Sequence, residues 1–161
     1  MLSRHDHSRF ASTLFLLLFV SAALSSQTIF AQEKGHSSGK APMRLAGVSN
    51  DPKYGVTSEK PIRVGGGFAE GSANQIKYLQ SLRGPNGEKI KFKRTGSCCM
   101  FVTPNGIQTT TTDGKTVGVG LLDQYEVTYK GLDKPIVLYL DLYDYETPQA
   151  PMGFTVGTYE E

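Results

Sequence analysis

The sequence contains no tryptophan and only three histidines, His5, His7 and His36. The first two lie in an N-terminal segment with the features of a signal peptide, and the third lies in a polar stretch rich in Gly, Ser and Lys. From residue 41 onward the chain has no imidazole. This absence excludes Ser-His-Asp and Cys-His nucleophiles from the folded domain, together with histidine-ligated zinc, copper and non-haem iron sites.

Long apolar runs are also absent, with one short exception at residues 10–20. This run follows the basic residues Arg4 and Arg9 and precedes a series of small residues, which is the pattern of a secretory signal peptide. It is shorter than the ~20 apolar residues that a membrane-spanning helix needs. We therefore predict a signal peptide over residues 1–31 and an exported protein, periplasmic or secreted, with no transmembrane span after cleavage. No cysteine lies near the signal, so we expect no lipid anchor.

A strong excess of charge is lacking as well. Removal of residues 1–31 takes Arg4, Arg9 and Asp6 with it and lowers the formal net charge from +2 to +1. A nearly neutral domain has no global field that attracts nucleic acid or anionic lipid, so we expect no nucleic-acid partner. The glycine run at 65–67 lacks the spacing of a dinucleotide-binding loop, and we expect no cofactor.

The chain divides into three parts by composition. After the signal, residues 32–52 are rich in Gly, Ser, Lys and Pro without apolar periodicity, which indicates a flexible tether. Residues 53–161 are enough for a single domain with a modest core.

Within that domain the periodicity predicts one helix, residues 72–83. Ser72 and Gln75 form a capping-box pattern at its start, and the Gly-Pro pair at 84–85 ends it. An alternating segment, residues 88–94, is typical of a half-buried strand, and residues 100–102 are its expected hairpin partner.

Two further strands are the strongest in the sequence, residues 125–129 and 136–143, and the short link between them fits an antiparallel hairpin. The second is apolar on both faces and should be central. We therefore predict an α+β fold, an antiparallel sheet of about four or five strands with one helix on one face.

The only cysteines, Cys98 and Cys99, are neighbours in the stretch TGSCCMF. Exported thiols usually form disulfides, but consecutive α-carbons lie 3.8 Å apart, below the usual range of about 4.4–6.8 Å, so this pair can close only a strained ring. Four interpretations stay open: a vicinal disulfide that locks a turn, two free thiols with one buried, an intermolecular disulfide or redox switch, and a soft-metal site that adds Met100.

Two other groups of side chains are candidates for function. Five tyrosines are candidates for a binding surface, with ordinary strand packing as the alternative: Tyr125, Tyr129, Tyr139, Tyr143 and Tyr145. Asp141 and Asp144 are three apart near a strand end, which points them to opposite faces and disfavours a cooperating acid–base pair. We assign no catalytic residue.

Four segments carry a resemblance: YGVTSEKPIRVGGG, YLQSLRGPNGEKIKFKRTGSCC, LLDQYEVTY and KPIVLYLDLYDYETPQAPMGF. Together, over residues 54–154, they resemble a group of small exported bacterial envelope proteins, many of them lipoproteins, that share the GSCC motif. The resemblance implies no activity. Some members carry the label 2-dehydro-3-deoxyphosphooctonate aldolase, which belongs to a barrel fold of about 250 residues and conflicts with the length and the single helix of this chain.

Three functions follow as hypotheses. The first is a non-enzymatic binding or structural module for another envelope protein. The second is a thiol-based redox or soft-metal protein centred on Cys98 and Cys99. The third is an enzyme that uses Asp, Lys or Tyr, which would need a concave pocket around Asp141 or Lys93.

Overall fold

The structure is a computed structural model that describes residues 43–157. The predicted signal peptide and the first part of the predicted tether, residues 32–42, lie outside the described residues, as do residues 158–161. In the part that is described, no helix has the length and apolar character to cross a membrane.

The described chain forms one helix and two sheets, which confirms the α+β prediction. The elements in chain order are β1 (Ile62–Arg63), α1 (Gly67–Ser81), β2 (Leu82–Arg83), β3 (Lys91–Thr110), β4 (Thr116–Thr128), β5 (Ile136–Asp141) and β6 (Thr155–Val156). The main sheet has the order β1-β5-β4-β3, and β2 pairs with β6 in a second, two-stranded sheet. As predicted, β5 is central and forms an antiparallel hairpin with β4. The sheet is mixed rather than antiparallel, because β1 runs parallel to β5.

The helix begins five residues earlier than the capping pattern predicted. Three consecutive glycines take the chain from β1 into the helix with positive φ angles, and Gly66 (φ 99°) is the N-cap with no side-chain hydrogen bond. The Gly67 N–H donates to the Leu142 carbonyl at 2.7 Å, which fixes this turn against the chain just after β5. Ser72 is therefore exposed inside the helix, and Gln75 is buried instead of capping. Only glycine adopts such angles without strain, so the glycine run is the true start signal.

The predicted hairpin partner of the basic strand, residues 100–102, was wrong. These residues continue β3, which runs from Lys91 to Thr110 and pairs along its length with β4. The chain reverses at Asp113-Gly114, a residue pair that favours turns, where Thr111 and Lys115 are joined by a main-chain hydrogen bond of 2.8 Å.

The described part of the predicted tether, residues 43–52, packs on the domain. Leu45 is buried, Val48 forms a parallel bridge with Ala150, and the Ser81 hydroxyl donates to the Met43 carbonyl at 2.8 Å. This segment is held by main-chain hydrogen bonds and the single buried apolar side chain of Leu45, so it leaves no apolar period in the sequence.

The core lies between α1 and one face of the sheet. Its fully buried members come from α1, from both sheets and from the residue just after β1: Ile62, Val64, Tyr78, Leu79, Leu82, Val127, Leu138 and Leu140. Residues Asp123, Tyr125 and Val127 of β4 stand opposite Leu140, Leu138 and Ile136 of β5, so they share this covered face.

The β3–β4 hairpin is longer than this core. β4 has 13 residues, but β5 has only six and its pairing with β4 stops at Asp123. Residues 116–122 of β4 therefore pair with β3 alone. We call this end the distal hairpin, residues 98–122.

Two substitutions in α1 test the position of the helix start. A Cβ on Gly71 would lie 2.6 Å from the Leu142 Cβ, so Gly71→Ala should destabilise the fold by about 1–3 kcal/mol through overpacking. Ser72→Ala is the matched control. Because Ser72 is exposed and inside the helix, it should change the free energy of unfolding by less than about 0.5 kcal/mol, whereas loss of a true N-cap costs ~1 kcal/mol. Urea denaturation measures both.

Candidate functional site

The edge strand β3 is broken by three irregularities in its pairing with β4. The register shifts between Arg94 and Gly96, between Cys98 and Phe101, and again within residues 102–107. Bulges of this kind twist an exposed edge and prevent another strand from adding to it. The two cysteines lie in the second irregularity.

Cys98 and Cys99 form a disulfide with each other, and their α-carbons lie 3.7 Å apart. Cys98 stands opposite Leu122 in the ladder, while Cys99 and Met100 form the bulge. Cys99 has φ 57°, the left-handed conformation that side chains rarely adopt. Of the four interpretations of the pair, the structure holds the vicinal ring, in an edge-strand bulge rather than in a hairpin turn. Because both sulfurs are bonded, neither is available as a thiolate ligand in this state, and Met100 is exposed beside them.

A buried carboxylate lies one ladder position from the ring, because Asp123 stands opposite Ser97. Asp123 Oδ1 accepts hydrogen bonds from Arg94 Nη2 at 2.6 Å and from the Ser97 hydroxyl at 2.7 Å. Arg94 Nη2 also contacts the Ser97 hydroxyl. Sequence analysis missed this network, because the first bulge places Ser97 beside Arg94 on one face of β3.

Burial by itself would raise the pKa of Asp123. The hydrogen bonds from Arg94 and Ser97, the nearby Gln75 amide and the charge of Arg94 outweigh burial and hold the pKa below its ordinary value of 3.8. Gln75 is fully buried, and its Oε1 accepts from the Tyr125 hydroxyl at 3.0 Å. Its Nε2 has no partner at normal hydrogen-bonding geometry, so the amide acts on Asp123 from a longer distance. Asp123 and its polar partners therefore lie where the core-covered face of the hairpin ends.

One face of the distal hairpin is closed by aromatic rings. Phe101 stands opposite Gly120, and the Tyr143 ring packs edge-on against Phe101 at 6.0 Å and against Phe68 at 5.6 Å. A Cβ on Gly120 would lie 2.7 Å from Tyr143, so the missing side chain makes room for the ring.

The third irregularity, within residues 102–107, is also held by the segment that follows β5. Asp144 Oδ1 accepts from the Thr103 hydroxyl at 2.6 Å and from the Asn105 side-chain amide at 2.9 Å. Residues 103–106 bulge out, so that Val102 and Ile107 both stand opposite Val119.

The other face of the distal hairpin is uncovered. By register and alternation Val102, Ile107, Val119 and Leu121 share this face with Asp123 and, further along, with the buried Tyr125. Where α1 covers the face, Tyr125 is only 3% exposed; beyond it, the exposed fractions are 74% for Val102, 56% for Ile107 and 46% for Leu121. We call Val102, Ile107, Val119 and Leu121 the hairpin face. It is a continuation of the core surface without the layer that covers the core.

The five predicted tyrosines do not form one surface. Tyr125 is buried on the core side and cannot contact a partner in this fold. Tyr129 packs against the core and the Phe154 ring, and Tyr139 stands opposite Gln124 on the outer face of the sheet. Tyr143 belongs to the aromatic cluster, and Tyr145 is 67% exposed.

The side chains of the two aspartates considered for catalysis have different roles, and neither pairs with the other. Asp141 is buried, and its Oδ1 accepts from the main-chain N–H groups of Tyr143 and Asp144, so it holds the turn after β5. Burial raises its pKa, and the two main-chain hydrogen bonds and the Arg63 charge oppose that rise. Lys93 lines a shallow hollow of about 220 Å³ on the outer face of the sheet.

In comparisons with known proteins, no protein-family model, curated protein or solved structure matches this chain. The proposals below rest on the geometry of the described residues.

The Asp123 network should make the fold sensitive to acid. Since the folded-state pKa of Asp123 is lowered, its ionised form stabilises the fold above about pH 4, and this contribution disappears as the pH falls through the folded-state pKa. Asp123→Asn should cost about 1–2 kcal/mol at pH 7, and its deficit relative to the unmodified protein should shrink below pH 4. Asp133→Asn, in the exposed β4–β5 turn, is the control and should show neither effect.

The vicinal ring should act locally. It encloses no intervening residues, so its loss should change the global free energy of unfolding far less than the ~2–4 kcal/mol of a long-loop disulfide. The double variant Cys98→Ser with Cys99→Gly keeps the positive φ without strain. The matched variant Cys98→Ser with Cys99→Ser should be less stable by ~1 kcal/mol, the cost of a side chain in this conformation.

Amide hydrogen exchange at Phe101 and Gly120, measured together with denaturant unfolding, shows which part of the fold is destabilised when the disulfide is removed. Faster exchange there with unchanged exchange in the core is expected. A loss of several kcal/mol in both variants would show that the ring supports the whole fold.

Proposed function

We propose that this chain is an exported binding module, non-enzymatic, that contacts another protein of the cell envelope through the hairpin face. One observation carries this proposal: the apolar surface of the core continues beyond α1 and β5 as an exposed row of branched aliphatic side chains. The predicted signal peptide supports the exported location.

The composition of the surface fits a protein contact. Its centre, Val102, Ile107 and Leu121, is apolar, and apolar surface releases ~25 cal/mol per Å² when it leaves water. The Arg94–Asp123 pair borders it on one side and the threonine-rich turn on the other, residues 109–116. An apolar centre with a polar rim is the usual anatomy of a protein interface.

The bulges and the ring hold this surface in one shape. The Cys98–Cys99 ring fixes the bulge next to the face, and Asp144 ties down the bulge at Thr103 and Asn105. A surface that is rigid before binding loses less conformational entropy on association. In this interpretation the disulfide supports binding by fixing the shape of the surface, and the cysteines take part in no reaction.

A second candidate function is thiol-based redox or soft-metal chemistry at Cys98 and Cys99, and the exposure of Cys99 supports it. In this case an external dithiol would transfer two electrons and two protons to the ring, and the ring would open to two thiols. Intact mass of the exported protein, with thiol alkylation before and after reduction, tests the second candidate. Two freely alkylated thiols, or a bound copper ion in the native mass, would favour it; alkylation only after reduction shows the closed ring, which is compatible with both candidates.

A photo-crosslinking residue at Ile107 tests the binding proposal in the cells that export the protein. The proposal predicts an adduct with a second, different protein, identified by mass spectrometry, and loss of that adduct when Val119→Lys places a charge in the surface. Because Val119 is half-buried only by its neighbours in the hairpin, this change should leave core stability within ~1 kcal/mol.

Met152 supplies the matched control, since it is 52% exposed and apolar but lies outside the hairpin face. A crosslinker at Met152 should give no such adduct. Equal yields at both positions, or an adduct at Ile107 with twice the mass of the chain, would contradict the proposal; the second result would identify a copy of this chain as the occupant.

A further inference from the structure

A polar cleft lies away from the hairpin face, between the loop that precedes β1 and the segment after β5. Its volume is about 370 Å³, within the range of small-molecule sites. Six of its lining residues carry a charge or an aromatic ring: Asp51, Tyr54, Glu59, Lys60, Arg63 and Glu146. Ser49 and Asp51, from the segment 43–52 that packs on the domain, form part of its wall.

The main cation of the cleft is held in place from two sides. Arg63 Nη1 lies 3.3 Å from Glu146 Oε2, and Arg63 Nε lies 3.8 Å from Asp141 Oδ2. That Asp141 oxygen is buried and has no hydrogen bond at normal geometry, so the arginine is its nearest compensating charge. A guanidinium oriented in this way presents donors in a fixed direction.

The opposite wall is also fixed before any ligand arrives. The Tyr54 hydroxyl accepts from the Gln149 main-chain N–H at 3.1 Å, and the Tyr78 hydroxyl donates to the Gln149 carbonyl at 2.9 Å. Lys60 Nζ lies 3.4 Å from Asp51 Oδ2. Gln149 therefore has its main chain clamped by two tyrosines and its side chain at the cleft.

The charges of the lining select the class of ligand. Three carboxylates, Asp51, Glu59 and Glu146, and two cations, Lys60 and Arg63, line the cleft, and each cation is paired with one of the carboxylates. An anion would meet the carboxylates and a cation would meet the basic groups. A neutral hydroxyl group is both donor and acceptor and can satisfy a carboxylate and a cation at once.

We propose that this cleft binds a neutral polyhydroxylated ligand, a saccharide unit. The partly exposed Tyr54 supplies aromatic surface for the C–H face of a sugar ring, and the paired charged groups supply hydrogen bonds to its hydroxyls. The site is independent of the hairpin face and of the cysteine pair.

The test is an NMR titration of the mature protein with methyl glycosides of glucose and N-acetylglucosamine and with their β-1,4-linked tetramers. The proposal predicts saturable shifts at Arg63 and Gln149. Tetramers that bind more tightly than single sugars indicate a glycan polymer as the source, and equal affinities indicate a free sugar. Because the ligand is neutral, a rise in NaCl from about 50 to 500 mM should change the affinity less than about twofold.

Variants locate the binding. Arg63→Gln should weaken it about tenfold, since a charged hydrogen-bond donor is lost. Glu59→Gln is a second variant whose exposed side chain cannot unfold the domain, and it should weaken binding severalfold. Lys134→Gln, in the exposed β4–β5 turn, is the control and should stay within twofold. No saturable shift in the cleft up to about 50 mM sugar, or a larger response there to phosphate or Ca²⁺, would overturn the proposal.

Discussion

The length difference between neighbouring strands shapes most of what is distinctive in this protein. β4 has 13 residues and β3 has 20, but the central strand β5 has six, so the core and its covering helix end while the hairpin continues. A two-stranded ribbon in water is marginally stable by itself. The distal hairpin therefore depends on attachments outside the sheet, and these are the Asp144 contacts and the Tyr143 ring.

These attachments are all on one side. Tyr143 and Phe101 close the face that contains Gly120, while Asp123 and Arg94 satisfy the polar groups at the border of the core. The opposite face keeps its branched aliphatic side chains in water. An aliphatic row with no covering layer is costly for an isolated domain, which is why we interpret it as a surface for a partner rather than as an accident of packing.

Local patterns in the sequence predicted the parts of the fold that are local. The alternation around Tyr125 identified β4, and the apolar run at 136–143 identified the central strand. The features that were not predicted from the sequence have a common cause, since each depends on contacts between residues that are far apart in the chain. The helix start is set by a glycine run held against Leu142, and the bulges at residues 98–107 are set by β4 and Asp144. The hairpin face could not be predicted, because it exists only where β5 stops. The polar cleft likewise depends on a segment that had the composition of a tether.

The central claim is that the hairpin face is open to solvent in the isolated protein and covered in its complex. The most direct measurement is solvent paramagnetic relaxation enhancement, with a soluble gadolinium chelate, on the methyl groups of Val102, Ile107, Val119 and Leu121 in the mature protein. The account predicts strong enhancement at these methyls, near that of the exposed Val48 and far above that of the buried Leu138, and its loss when the crosslinked partner is added. Methyls already shielded in the isolated monomer would contradict it, because the face would then be covered by the chain itself.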